Sequence, residues 1–247
     1  MATTEEHNHS PLSQFEIHSI INIQPGGYNI SFTNSSVAMV ATVVFITLFF
    51  TLTVKKRSLV PSRLQLVSES IYTFISQLLQ DTVGDDGRKY FPFVFSIFMF
   101  VLIGNMLGMI PYSFTFTSHI IVTFALAAVI FIGVTIIALI KHKMHFFSFF
   151  VIPGLPIYML PLLIPIEIIS YLSRPISLSV RLFANMLAGH TLLKVFAGFV
   201  VSMGLAGILP LAFIVALTGL EILIAFLQAY VFAILTCLYI NDALHLH

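Results

Sequence analysis

The 247-residue sequence predicts an all-α integral membrane protein: about five transmembrane helices, one amphipathic surface helix and two long tilted C-terminal helices forming an antiparallel hairpin. Three observations predict it. Hydrophobic residues make up 58% of the chain and charged residues 9%, against about 25% charged in an average soluble domain. The apolar residues run in blocks, and a helix needs roughly 20 of them to cross hydrocarbon. No polar stretch is long enough to build a second core, so residues 1–247 read as a single membrane domain.

Residues 1–36 are expected to form an outer-side N-terminal segment. Acids and histidines stand where a secretory signal would carry a positive and then an apolar region, and the Arg/Ser bias of a transit peptide is missing, so no cleavable leader is expected. His7, His9 and His18, like His245 and His247, read as solvated tail residues rather than metal ligands. The first span covers residues 37–54 and runs into Lys55, Lys56 and Arg57. A basic cluster directly after a span marks the cytoplasmic or matrix side, which puts the N-terminus on the opposite face.

Over residues 61–83 the pattern changes. Leu64, Val67, Ile71, Phe74, Ile75, Leu78 and Leu79 recur at helical spacing, while Arg63, Gln65, Ser68, Glu69, Gln77 and Gln80 fill the other faces. This is the amphipathic helix, expected on the membrane surface or against a soluble partner. Asp85 to Lys89 form a polar turn that opens a membrane hairpin over residues 90–140; Pro111 closes its first arm, and Lys141, His142 and Lys143 end the second on the basic side.

A breaker-rich run holding Pro153, Gly154, Pro156, Pro161 and Pro165 leads into the C-terminal hairpin, residues 156–247. Its two apolar segments, about Leu162 to Val201 and Leu209 to Asn241, exceed the length of a perpendicular span, so tilt or kinking is expected. Five crossings put the C-terminus on the cytoplasmic or matrix side. Glycines at 189, 198, 204, 207 and 219 would let helices approach closely.

A net charge of +1 without any long basic run argues against a nucleic-acid partner. The lone Cys237 cannot form an internal disulfide and reads as a packed thiol. No cofactor or metal site is expected.

Chemistry concentrates in the hairpin. At about 100° per residue, Glu167, Ser170, Arg174, Ser177 and Asn185 all fall within about 40° of Arg181, a narrow polar face on an apolar helix. A charge at mid-membrane costs at least about 2.5–3.5 kcal/mol and faces a cavity or a partner charge. Glu167 lies about 21 Å along the axis from Arg181, too far to neutralise it, so another anion is expected to meet it. Arg174 sits nearer the helix end and reads as a snorkelling or structural arginine.

The last segment carries Glu221 and Gln228 on nearly one face. In an antiparallel hairpin, residues at equal depth share an index sum; Arg181 with Gln228 and His190 with Glu221 give sums that nearly agree. His190 points away from Arg181 and can face a water-filled route, where a histidine and a carboxylate can relay protons; a buried structural His–Glu contact is the alternative.

The stretch SRPISLSVRLFANMLAGH followed by GLEILIAFLQAYVFAILTCLYI resembles subunit a of the rotary F-type ATP synthase, of the mitochondrial and alphaproteobacterial type. GNMLGMIPYSFTFTSHIIVTFALA and the opening SPLSQFEI resemble the same family, so the likeness spans nearly the whole chain. The resemblance implies proton transport for ATP synthesis by a non-catalytic subunit. Its partners would be a ring of c subunits, peripheral-stalk b-type subunits, membrane lipid and protons. Arg181 matches the arginine that faces the ring carboxylates, and Asn185 and Gln228 the polar residues flanking it. His190 and Glu221 match the outer half-channel pair, with acid and imidazole exchanged relative to many bacterial members. Glu167, Ser170 and Arg174 match the inner half-channel end. A bacterial inner membrane is the expected location, a mitochondrial inner membrane the other.

Two rivals are set aside. A secondary proton-coupled transporter usually shows internal repeats and unwound binding helices, neither of which the sequence carries. A purely structural anchor would have no reason to place an arginine so deep.

Overall fold

The computed structural model of the chain describes residues 15–21, 31–55, 62–110, 113–143, 158 and 160–245. Expectations for His7, His9, Lys56, Arg57, Pro61, Pro111, His247 and residues 153–157 lie outside these. A short antiparallel strand pair, β1 (Ser19–Ile21) and β2 (Phe32–Thr33), precedes helices α1 (Asn34–Lys55), α2 (Arg63–Val83), α3 (Phe91–Gly108), α4 (Ile120–His142), α5 (Leu160–Ser202) and α6 (Ile208–Leu244). Among the described residues five segments are long and apolar enough to cross a membrane: Asn34–Thr53, Asp85–Gly108, Ile120–His142, Pro161–Ser202 and Ile208–Leu244. The chain is an all-α membrane protein, as its composition predicts.

The described residues group into two compact units, and α3, α5 and α6 each contribute to both. The first unit takes Met1–Val60, Met99–His119 and Leu182–Ala229. Here α1 begins a turn earlier than the apolar block suggests, because Asn34 ties the helix start to the segment just before β1. Its Nδ2 donates to the Glu16 carbonyl at 3.0 Å, and its Oδ1 accepts from the Ser35 N–H at 3.0 Å. The strand pair itself carries no periodic signal that would have announced it. Met99, Val101, Phe116, Leu182, Met186, Ala225 and Ala229 are buried in this unit. The Phe116 ring reaches α3 where Gly104 has no side chain; a Cβ there would stand 2.4 Å from Phe116 Cζ. After α5, Gly204 takes φ +55° in the turn that leads to α6, a conformation in which L side chains are strained.

The second unit takes Pro61–Phe98, Ile120–Arg181 and Tyr230–His247. Its core includes Ile75, Leu79, Val94, Phe98, Leu178, Phe232 and Ile240. From α4, Thr123, Ala127, Ile130, Val134 and Ala138 recur at three- and four-residue spacing as one buried stripe. The Tyr171 hydroxyl on α5 meets Thr135 Oγ1 on α4 at 2.8 Å.

Three expectations change in detail. Periodicity places Ser68 with the polar faces of α2, yet it is buried with Ile75, Leu79 and Val83, while Leu64 and Val67 are exposed. A small serine tolerates that burial because its hydroxyl donates to the Gln65 carbonyl at 2.9 Å. Pro161 and Pro165 do not interrupt the entry to the hairpin; α5 runs through both. The N–H that Pro161 lacks would have no intrahelical acceptor, and Pro165 forfeits a single bond. Of the hairpin glycines, Gly198 and Gly219 have nothing within 4 Å of an added Cβ, so close approach is confined to Gly189 and Gly207.

Candidate functional site

In the first unit α5 and α6 run antiparallel, and three contacts along them show it. Asn185 Nδ2 donates to Gln228 Oε1 at 3.1 Å. One to two turns on, His190 Nδ1 lies 3.3 Å from Glu221 Oε1. Further still, the Phe196 and Phe213 rings have centroids 4.9 Å apart. The matched residues of α5 rise in number as those of α6 fall. Ala225 and Ala229, both fully buried, keep that face of α6 low enough for a close neighbour.

The His190–Glu221 pair is thus brought together as the sequence leads one to expect. Gln228, matched in depth with Arg181 by the index sum, bonds the side chain one turn further along α5. Glu221 and Gln228 are almost wholly buried, at 4% and 3% exposure. Among the described residues neither carboxyl oxygen of Glu221 accepts an aligned hydrogen bond, and Gln228 Nε2 has no acceptor. Burying a carboxyl without donors is costly unless a partner group is within reach. The His190 ring supplies that group whenever Nδ1 carries a proton. Gly189 makes the room, because a Cβ at that position would stand 2.7 Å from Glu221 Oε1.

Sequence reasoning did not single out three further groups. Thr115 Oγ1 lies 3.1 Å from His190 Nε2 and 3.1 Å from the Gly108 carbonyl oxygen. Asn105, fully buried on α3, donates from Nδ2 to the Ala225 carbonyl of α6 at 3.4 Å. Both lie inside the 104–127 stretch that carries the family resemblance, which is the signal that could have found them. Close by in sequence, His119 stacks on Phe114 with centroids 5.1 Å apart, and burial pulls its imidazole below the ordinary value.

In the second unit Arg174 Nη1 donates to Asp242 Oδ2 at 2.9 Å. Its guanidinium also lies over the Tyr171 and Tyr239 rings, at 5.6 and 5.3 Å. Asp242 is the third missed group; its index sum with Arg174 does not match that of the other pairs, so depth arithmetic would not have found it. Ser170, Ser177 and Arg181 are exposed, as is Asn185 beyond them on α5, while Leu178, Leu182 and Met186 on the other side of the helix are buried. Glu167 is half-buried. Among the described residues of its own unit, no carboxylate stands within ion-pair distance of Arg181. An outward-facing guanidinium on an apolar helix calls for an anion supplied from elsewhere.

Residues 36–241 match the family described as ATP synthase A chain. Among curated relatives, ATP synthase subunit a of Pelagibacter ubique is 62% identical over 240 residues, covering 96% of this chain and 98% of that one. Those of Mesorhizobium japonicum and Rhodospirillum rubrum are 58% and 55% identical, covering 95% and 97% of this chain and 96% and 100% of theirs. With matching segments over nearly its full length and five helices able to cross a membrane, the chain belongs to the family of subunit a of the F-type ATP synthase.

Proposed function

We propose that the chain provides two proton half-channels and the arginine that engages the carboxylates of a rotating c ring, so that proton flow drives ring rotation and ATP synthesis. As a subunit, it is a multi-pass membrane component of the complex rather than a catalyst in its own right. The observation that carries the reading is Arg181, exposed on an apolar helix with no carboxylate within ion-pair distance among the described residues of its own unit. Its anion is a carboxylate of each passing c subunit.

A proton enters from the outer side through His190 and Glu221 and neutralises a ring carboxylate. That site then rotates into lipid, where a neutral acid is tolerated and an anion is not. After nearly a full turn the proton leaves at the inner end, where Glu167, Ser170 and Arg174 stand on α5. An arginine guanidinium keeps its charge in proteins. Arg181 therefore favours the ionised ring carboxylate and repels a proton crossing directly between the half-channels. Each elementary charge crossing 100 mV supplies about 2.3 kcal/mol. Asn185 and Gln228, bonded to one another, match the polar residues that accompany the arginine in the family.

Peripheral-stalk b-type subunits hold the chain against the turning ring. The N-terminus faces outside and the C-terminus the cytoplasm, in a bacterial inner membrane. The test is ATP-driven proton pumping in membranes carrying Arg181→Ala. Pumping is expected to vanish while the complex still assembles; pumping that persists would make Arg181 structural and overturn the reading.

A further inference from the structure

We propose that Thr115 is a positioning residue that fixes the tautomer of His190, so that the outer proton route works through one ring nitrogen, Nδ1. The inference rests on the His190/Glu221 half-channel reading. Thr115 is 4% exposed, in the segment between α3 and α4. Its hydroxyl oxygen stands 3.1 Å from two atoms, the Gly108 carbonyl oxygen and His190 Nε2. A carbonyl can only accept, and a threonine hydroxyl has one proton. That proton goes to Gly108, which leaves the oxygen lone pair to accept from His190 Nε2–H.

The anchor is built on both sides. Gly108 admits the hydroxyl because it has no side chain; a Cβ there would stand 2.7 Å from Thr115 Oγ1. Ser118 Oγ donates to the Thr115 carbonyl at 2.6 Å and holds the turn.

With the proton kept on Nε2, the neutral ring presents its lone pair at Nδ1, the atom 3.3 Å from Glu221 Oε1. The relay then balances. A hydronium ion in the outer aqueous route gives its proton to Nδ1, leaving water and an imidazolium. The Nδ1–H bond breaks as ionised Glu221 takes that proton on Oε1, giving the carboxylic acid and restoring the starting tautomer. The Nε2–H bond to Thr115 stays intact throughout, so the ring needs no flip between protons. Among the described residues no other hydrogen-bond donor is aligned on the Glu221 oxygens to compete for them. Without the hydroxyl, the ring could carry its proton on Nδ1 and point an N–H at the route in place of a lone pair.

The test uses the assembled complex in membranes. Thr115→Val keeps the volume and loses the hydroxyl, Thr115→Ser keeps the hydroxyl, and Glu221→Gln is the reference for the half-channel. Proton-driven ATP synthesis is expected to fall about 10-fold in Thr115→Val, the low end of what losing the partner that orients an imidazole costs. It should recover to near the parent rate in Thr115→Ser. Ring 15N shifts from histidine-labelled complex at alkaline pH, assigned by their loss in His190→Gln, should show protonated Nε2 and bare Nδ1 in the parent and in Thr115→Ser. In Thr115→Val the Nδ1–H form should appear. Parental synthesis with unchanged shifts in Thr115→Val would overturn the proposal, as would an Nδ1–H tautomer in the parent, a result that decides even if Thr115→Val does not assemble. Parental synthesis in Glu221→Gln would instead sink the half-channel reading, and the Thr115 proposal with it.

Discussion

Gly189 leaves open a space that one added carbon would fill: a Cβ there would meet Glu221 Oε1 at 2.7 Å and Cδ at 3.0 Å. Gly189→Ala should push the carboxyl away from His190 Nδ1 and lower proton-driven ATP synthesis about tenfold, equivalent to about 1.4 kcal/mol in a barrier. The level of assembled complex should stay unchanged, and parental synthesis would show that the His190–Glu221 spacing does not matter. Arg174 and Asp242 make the opposite case. Their side chains are 26% and 38% exposed, so solvent screens the pair, and Arg174→Ala should cost about 1 kcal/mol or less in thermal stability of the purified membrane sector. A cost several times larger would mean that the pair is effectively buried. The His190–Glu221 pairing was legible because facing positions of antiparallel helices follow from arithmetic on residue numbers. Thr115 was not, because it comes from a connection whose backbone has no period to project onto the site. Asp242 escaped notice because an acid near the end of a span is ordinary.

Single side-chain contacts tie whole elements together. The Tyr171 hydroxyl joins α5 to α4 through Thr135, whose own hydroxyl also donates to the Phe131 carbonyl at 2.7 Å. Tyr171→Phe therefore removes one hydrogen bond without orphaning its partner, and should cost about 1 kcal/mol with ATP-driven pumping retained. Loss of pumping in that variant would tie the tyrosine to proton transfer. Helix existence was readable wherever apolar residues ran in long blocks, and the extents of α5 and α6 follow those blocks closely. Which side of α2 is buried was harder to read. Periodicity finds an apolar face, but the choice between Leu64/Val67 and Ser68/Ile75/Leu79 depends on the neighbouring helices. The strand pair before α1 was invisible because three residues facing two are too few to show an alternating pattern.

For the molecule as a whole, the number of crossings fixes where the termini lie. The five candidate spans among the described residues would place them on opposite faces, with the N-terminus outside in the proposed orientation. In a Cys237→Ala background, cysteines introduced at Ser31 and at His245 should react with a membrane-impermeant maleimide from opposite sides of oriented vesicles. Labelling of both from one side would contradict the five-span topology. Composition alone made the membrane class legible. The proposed transport chemistry needed more: an arginine, a histidine and a carboxylate where lipid would otherwise exclude them, and a counter-anion assigned by the proposal to another chain. In the proposed mechanism Arg181 is both ring partner and proton barrier, and passive proton conductance of the membrane sector, stripped of its soluble motor and carrying Arg181→Ala, isolates the barrier. Conductance equal to or above that of the parent sector, with ATP-driven pumping absent, is the predicted result, since the half-channels remain and the barrier between them is gone. Conductance reduced to that of membranes lacking the sector would contradict the account.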